Sequence, residues 1–336
     1  MSTSRPTIHD VAARAGVSKS LVSLALRGSP RVSEASRVVI LDAAAELGYR
    51  PNAAARSLAH RRSGTIGVLI LDLHNPVFAE ILDGVLSEVR GRGYRTILVT
   101  GSGDPLLEEE ETDKLLEFQV EGLILISHRM TPEVLRSFAA EVPTVVVTRS
   151  DGTGPRMDSV RNDDAAGAAL AVDHLVDLGH TRIACLTGGD NPVSTERERG
   201  YLEAMGRHGL GGGVIVVRGG LTDSAGYAAA MESLTQSPTA MFVANDLAAL
   251  GAIAAVQELG QRVPEDVSVV GYDGIALGAL RSVNLTTVAQ PLEEMGARAA
   301  RQLFRRIGHP RARAQHVTVE STLAIRGTTS VPPPIR

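Results

Sequence analysis

The chain has 336 residues, enough for two or three compact units with sizeable cores, and its 43% hydrophobic and 21% charged residues exclude wholesale disorder. One cysteine, Cys185 in the apolar run "RIACL", excludes an internal disulfide and a cysteine zinc cluster and reads as a small buried hydrophobe. The net charge of −4 conceals an asymmetry: residues 1–62 carry ten basic and four acidic side chains, +6, leaving −10 for the remainder. A basic small unit on an acidic large one suggests a polyanion partner at the N-terminus, although charge alone fits a solvated surface equally well.

The start "MSTSRPTIHDVAARAG" lacks the continuous apolar segment of a signal peptide, and no run of about 18 apolar residues occurs. The expectation is a cytoplasmic protein without a membrane span. Three short helices fit the first fifty residues. "TIHD" is capping-box-like, with Thr7 as N-cap and Asp10 in the place usually held by Glu. This helix stops at Gly16, and a tight turn leads to Ser18, a good N-cap for a second helix ending at Gly28. A third begins near Ser33, carries Val38, Leu41, Ala44, Ala45 and Leu47, and ends at Gly48. Helix, short glycine turn, helix is the outline of a helix-turn-helix.

"YRPNAAARSLAHRRSG" follows. Pro51 breaks the chain direction, and Asn52 can cap a brief helix over roughly 53–59 that is marginal alone and needs a partner to form. From Thr65 the texture changes. Apolar strands at 65–71, 95–100, 122–127 and 144–149 alternate with helices at 77–93, 108–119 and 131–141. A second series places helices at 164–178, 195–208, 224–235 and 246–258 among strands at 182–188, 214–219, 240–244 and 267–272. Continuous apolar strands between amphipathic helices predict parallel sheets covered on both faces. So many strands exceed one comfortable open sheet, so two similar lobes are expected, dividing near residue 161. Ligands of such sheets bind at the carboxyl ends of strands, which makes the interlobe cleft the expected pocket.

The segments "TIHDVAARAGVSKSLVSLALRG", "VSEASRVVILDAAAELGYRPNAAARSLA", "LVDLGHTRIACLTG", "RERGYLEAM", "VANDLAALGAI", "VPEDVSVVGYDG" and "TTVAQP" run in order from about Thr7 to Arg326. Together they resemble the lactose-repressor (LacI) family of bacterial transcription regulators. The resemblance implies an all-α helix-turn-helix headpiece over 1–50 and a hinge helix and linker over 51–63. It further implies an α/β effector-binding and dimerisation domain over 64–330, like periplasmic sugar-binding proteins, with two doubly wound parallel sheets. Its N-lobe would comprise about 64–161 and 290–320, its C-lobe about 162–289 and 321–330, with crossings near 161, 290 and 321. The implied function is an effector-responsive repressor of carbohydrate-utilisation genes. It would bind a pseudo-palindromic operator as a homodimer and be released by a small sugar-like ligand, with no cofactor, metal or catalytic residue. The short proline-rich tail "GTTSVPPPIR" has no heptad leucines, which favours a dimer over a tail-assembled tetramer.

In a helix-turn-helix the second helix lies in the major groove, its N-terminal residues at base edges. Steps of about 100° per residue put Ser18, Val22, Ala25 and Leu26 on an inward face and Lys19, Ser20, Ser23, Leu24 and Arg27 on the outer one. Lys19 suits guanine O6 or N7, Ser20 several bases, and Ser23 and Arg27 phosphates. Thr7, Ser18 and Leu21 complete the set expected at DNA. The family pattern has Thr in place of Leu21 and a base-reading Arg in place of Leu24. In the hinge, Leu58 aligns with a leucine that wedges into the minor groove, Ala55 permits close helix approach, and Asn52 and Arg56 belong to the same DNA-facing set.

The effector cleft is expected to draw on Asn75 for hydroxyls, Phe78 for stacking, Arg149, Arg197, Asn245, Asp273 and Gln290. Amides, a guanidinium and a carboxylate around a small site suit a polyhydroxylated ligand. Val77 stands where sugar-binding relatives have an aromatic. Asp246 is expected to cap the helix that follows it, and His74, His128 and His180 to lie in loops or on the surface. An enzyme on doubly wound domains is disfavoured, because no G-x-G-x-x-G follows a strand and no G-x-x-x-x-G-K-[ST] or G-x-S-x-G occurs. A periplasmic binding protein is disfavoured by the basic headpiece and the missing signal peptide.

Overall fold

The computed structural model describes residues 6–26, 28–49, 63–149 and 154–334, which divide into two compact units, one up to Gly64 and one from Thr65. Among the described residues the first unit holds three helices: α1 (Ile8–Ala15), α2 (Lys19–Leu26) and α3 (Glu34–Glu46). The capping box forms at the start of α1. The Thr7 side chain accepts from the Asp10 amide, and the Asp10 carboxylate takes the Thr7 amide at 2.7 Å. Gly16 ends α1 at φ +66, a left-handed conformation that costs glycine little, and the turn delivers Ser18, whose Oγ accepts from the Leu21 amide at 3.2 Å. Val11, Val22, Ala25, Val32, Ile40, Ala43 and Ala44 form the core of this unit. The buried face of α3 is therefore Ile40, Ala43 and Ala44. Val38, Leu41 and Ala45, expected to carry it, are exposed. The three-helix packing turns α3 so that Arg37 spans to the end of α2, donating to the carbonyls of Ser29 at 2.8 Å and Ala25 at 3.4 Å.

The second unit contains two six-stranded sheets. The first has the order β11-β5-β4-β3-β1-β2, from β1 (Thr65–Ile70), β2 (Arg95–Thr100), β3 (Leu123–Ile126), β4 (Thr144–Val147), β5 (Met157–Asn162) and β11 (His316–Val319), all parallel. The second has the order β12-β10-β9-β8-β6-β7, from β6 (Ile183–Thr187), β7 (Val214–Arg218), β8 (Ala240–Val243), β9 (Ser268–Asp273), β10 (Thr286–Ala289) and β12 (Thr322–Ala324), with only β12 antiparallel. Separate cores lie on each face of each sheet, so both lobes are three-layered, as continuous apolar strands require. The helices of the N-lobe are α4 (Pro76–Gly91), α5 (Pro105–Glu117), α6 (Pro132–Glu141) and α11 (Leu292–Gly308). Those of the C-lobe are α7 (Asp164–Asp177), α8 (Pro192–Arg207), α9 (Asp223–Leu234) and α10 (Asp246–Glu258). The chain passes between the sheets three times: after β5, after β10 and between β11 and β12.

Helix α11 and strands β5, β10, β11 and β12 are additional to the expected elements. Helix α11 packs on α4 through facing glycines: a methyl at Gly84 would sit 1.9 Å from the Glu293 carbonyl, and one at Gly296 1.9 Å from that of Ile81. Strand β5, "MDSVRN", is buried although its sequence is polar. The fully buried Asp158 accepts from Arg306 at 2.7 and 2.9 Å, from Arg305 at 2.8 Å and from the Gln315 amide at 2.6 Å. The tail crosses the C-lobe, where Thr328 pairs with the Val269 backbone and His180, buried rather than at the surface, bonds Thr239, Ser268 and the Ser330 carbonyl. Burial holds the His180 pKa below its ordinary value.

Removing Asp158 strands two arginines, one of them buried. Asp158→Ala is expected to lower the unfolding free energy by about 3–5 kcal/mol, read from urea denaturation of the full chain. A loss below about 1 kcal/mol would show that α11 is held by its apolar face alone.

Candidate functional site

A cleft lies between the two lobes, and all seven residues expected at an effector line it: Asn75, Phe78, Arg149, Arg197, Asn245, Asp273 and Gln290. They reach it from the carboxyl ends of strands or the first two turns of the following helices, as the topology requires. Three strand-end residues on its wall, Ser127 after β3, Thr148 after β4 and Asp273 at the end of β9, have φ of +52, +75 and +110. Such backbone costs about 1–3 kcal/mol per residue and persists where the surroundings over-determine it.

Arg197 is the centre of the site. It lies in the second turn of α8, which begins at Pro192 under an Asn191 N-cap, earlier than expected. Its Nε donates to Asp164 at 2.9 Å, its terminal nitrogen donates to the Ala244 carbonyl at 2.5 Å and lies 3.2 Å from Asp273, and its plane rests on the Tyr272 ring at 3.6 Å. Burial opposes the charge, but the carboxylates of Asp164 and Asp273 outweigh it and hold the Arg197 pKa above its ordinary value. Gln290 donates to Asp273 at 2.8 Å. Burial, countered in part by Arg197, pushes the Asp273 carboxyl up to about 6.

One expectation is corrected. Asn245, not Asp246, caps α10: its Oδ1 accepts from Ala248 at 2.9 Å and its Nδ2 donates to the Leu221 carbonyl at 3.0 Å. Asn245 lines the cleft with both ends of its amide engaged. Asp246 lies one residue inside the helix, fully buried, and accepts from Thr287 at 2.5 Å and the Ile275 amide at 2.9 Å. Burial, reinforced by Asp273, raises its pKa to about 7. Asn75 likewise caps a helix, accepting from the Val77 amide at 3.1 Å. Arg149 donates to the His128 carbonyl at 2.5 Å; His128 lies in a loop, as expected, but is buried in the cleft wall, whereas His74 is exposed. The loop carrying Ser127, His128 and Arg129 is anchored by buried Glu108, which accepts the Arg129 amide at 2.7 Å. The sequence reading missed Asp164, Asn162, Tyr272, Ser127, Thr148 and Asn191. The run "NDD" closing a strand-length segment was the available signal for the first two.

In the first unit, Lys19 and Ser20 stand exposed in the first turn of α2, and Thr7 and Ser18 are exposed caps. Leu21 and Ser23 are half-buried. Leu24, expected on the outer face, is half-buried as well and packs against the three-helix core. The outer face is narrower than the helical projection implies, because α1 and α3 close over the end of so short a helix. Arg27, Asn52, Ala55, Arg56 and Leu58 lie outside the described residues.

Residues 7–52 match the model of bacterial regulatory proteins of the lacI family, and residues 172–329 that of a periplasmic binding protein-like domain. The chain is 35% identical to the ribose operon repressor of Escherichia coli K12 over 96% of its own length and 99% of that protein's. The chain belongs to the lacI family. Its identity to the HTH-type transcriptional repressor PurR of Aliivibrio fischeri is also 35%, over 90% of this chain and 91% of that one. A crystal structure of the Lac repressor dimer bound to operator and the anti-inducer ONPF matches with a TM-score of 0.87 at 30% identity, covering 97% of this chain and all of the other. As a lacI-family member this is a DNA-binding transcription regulator with a small-molecule effector, not an enzyme. Among the described residues, no helix is long and apolar enough to cross a membrane.

Asp246 and Asp273 hold their protons more tightly folded than unfolded, where the ordinary value is 3.8. Between that value and about 7 the folded state binds more protons, so this pair's contribution to stability falls as pH rises. Asp246→Asn cannot titrate. Its unfolding free energy relative to the native chain is expected to improve as pH is raised from about 4 to about 7.5, read from denaturation curves. A difference independent of pH would deny the pair this role.

Proposed function

We propose that the protein is a cytoplasmic repressor of carbohydrate-utilisation genes that binds a pseudo-palindromic operator as a homodimer and is released by a small sugar or sugar derivative. The observation that carries this reading is the interlobe cleft. Its lining includes the guanidinium groups of Arg129, Arg149 and Arg197, the carboxylates of Asp164 and Asp273 and several amides, a set that suits the hydroxyls of a sugar ring. Among the described residues Phe78 is the one phenylalanine, tyrosine or tryptophan lining it, which favours a sugar over a flat heteroaromatic base.

Asp273 and Gln290 would accept and donate to adjacent hydroxyls, with Arg197 holding Asp273 in place; Asn75 and Arg149 would do so from the N-lobe. An effector acts through its different affinity for two lobe arrangements. In the headpiece, Lys19 and Ser20 are the residues best disposed to read base edges, with Ser23 and Arg27 on phosphates and Thr7, Ser18, Leu21 and Leu24 beside them. The hinge residues Asn52, Ala55, Arg56 and Leu58 complete the DNA-facing set by family resemblance.

A thermal-shift series of D-ribose, other pentoses, hexoses and purine bases on the full chain tests the effector. One or more sugars are expected to raise the melting midpoint by several degrees at saturating concentration, and Arg197→Ala is expected to abolish the shift. A response to purine bases alone would overturn the sugar reading. A gel shift on the DNA upstream of its own gene, with and without the same sugars, tests release; no binding in either condition would overturn the repressor reading.

Lys19→Ala is expected to weaken specific binding to that DNA by about tenfold through a lost base contact. Leu58→Ala is expected to lose specific affinity while keeping the salt-dependent nonspecific part. Titrations at fixed salt decide both, and unchanged specific affinity would remove the residue concerned from the set.

A further inference from the structure

The three passages between the lobes are tied to the cleft by side-chain hydrogen bonds. Asn162 closes β5 at the first crossing. Its Nδ2 donates to the Tyr272 hydroxyl at 2.6 Å, and its Oδ1 accepts from Ser321, at the third crossing, at 2.7 Å. The Asp163 amide donates to the Val319 carbonyl at 3.2 Å, joining the backbones of the same two crossings. Gln290, at the second, is bonded to Asp273.

Tyr272 stands where these connections converge. It is fully buried in β9, and its ring carries the guanidinium of Arg197. The first turn of α7 closes on its hydroxyl so tightly that a methyl at Gly167 would lie 2.2 Å from the oxygen. A side chain with one end under the cleft arginine and the other on two crossings has no room to move at one end alone, because packed interiors shift between discrete arrangements rather than deforming smoothly. We propose that Tyr272 is a positioning residue that transmits displacement of Arg197 to the first and third interlobe crossings through Asn162 and Ser321. This rests on reading the cleft as the effector site. It adds the element by which occupancy would alter the lobe angle.

Hydrogen exchange of the full chain, read by mass spectrometry without any ligand, tests the linkage. Tyr272→Phe keeps the ring beneath Arg197 and removes only the hydroxyl. It is expected to speed exchange roughly tenfold at the Asp163 amide and in the segment 320–324, leaving strand β1 and the second crossing unchanged. Arg197→Lys keeps a cation near Asp164 and Asp273 but loses the planar face on the ring. Among the described residues, Arg197's hydrogen bonds, ion pairs and ring contact go to Asp164, Ala244, Asp273 and Tyr272 and none to the third crossing, yet this change is expected to speed exchange there too, and to add nothing when Tyr272 is already Phe.

If Tyr272→Phe does not fold, Ser321→Ala takes its place in the same cycle. No change at 320–324 in Arg197→Lys, additive effects in the double variant, or acceleration spread through the whole C-lobe would each overturn the proposal. A native chain whose DNA binding ignores every sugar, with the exchange cycle as expected, would instead overturn the effector reading and leave the linkage standing.

Discussion

The second unit depends on keeping one guanidinium charged out of water. A buried arginine is tolerable only if every face of the group is answered, since its desolvation alone is worth several kcal/mol. Arg197 is answered by Asp164, Asp273, the Ala244 carbonyl and the Tyr272 ring. These come from three separate segments, Tyr272 and Asp273 being neighbours in β9, and all must meet around one group for the charge to persist. The cleft geometry follows from that demand. It also accounts for Asp273 at φ +110: the backbone conformation points the carboxylate at Arg197 and Gln290, and the network it completes sustains the strain.

Topology brings the answering groups together. In a sheet of parallel strands all carboxyl ends lie at one edge, and two such sheets facing each other share one cleft. The chain crosses between lobes where the groups are needed: Asn162 and Asp164 bracket the first crossing, Gln290 occupies the second and Ser321 the third. Lobe connection and ligand-facing chemistry are therefore one construction. On the far side of the seam, Glu80 of α4 accepts the Ala276 amide at 3.2 Å and Ile275 packs into the N-lobe core, so the lobes also meet directly. A change at the arginine has few places to go other than the crossings and this seam.

The alternation of apolar strands and amphipathic helices was legible because burial on both faces makes a strand uniformly apolar. Strand β5 was not, for the same reason inverted. Its aspartate is buried, and the arginines that neutralise it lie almost 150 positions further on, so no local pattern announces it. Seven of the cleft residues were legible from strand-end motifs and the family resemblance, whereas Asn162, Asp164, Ser127, Thr148 and Asn191 were not. Nor was the division of labour: adjacent Asn245 and Asp246 differ in role through the exact start of α10, and helix boundaries are the least readable feature of a sequence. Tyr272 was invisible as a site residue because a buried tyrosine in an apolar strand reads as core, which it also is.

The same boundary effect bears on the headpiece. A projection at 100° per residue treats a helix as an isolated cylinder with one inner and one outer face. Helix α2 has only eight residues and is flanked on both sides, so residues past its first turn are drawn against α1 and α3 whatever their nominal direction. Leu24 sits in that region, half-buried, where the family pattern carries a base-reading arginine. A leucine there gains from packing against the three-helix core, and an arginine would have to extend past it to reach solvent or DNA. The first turn, Lys19 and Ser20, is left as the exposed part of this helix from which sequence discrimination can come.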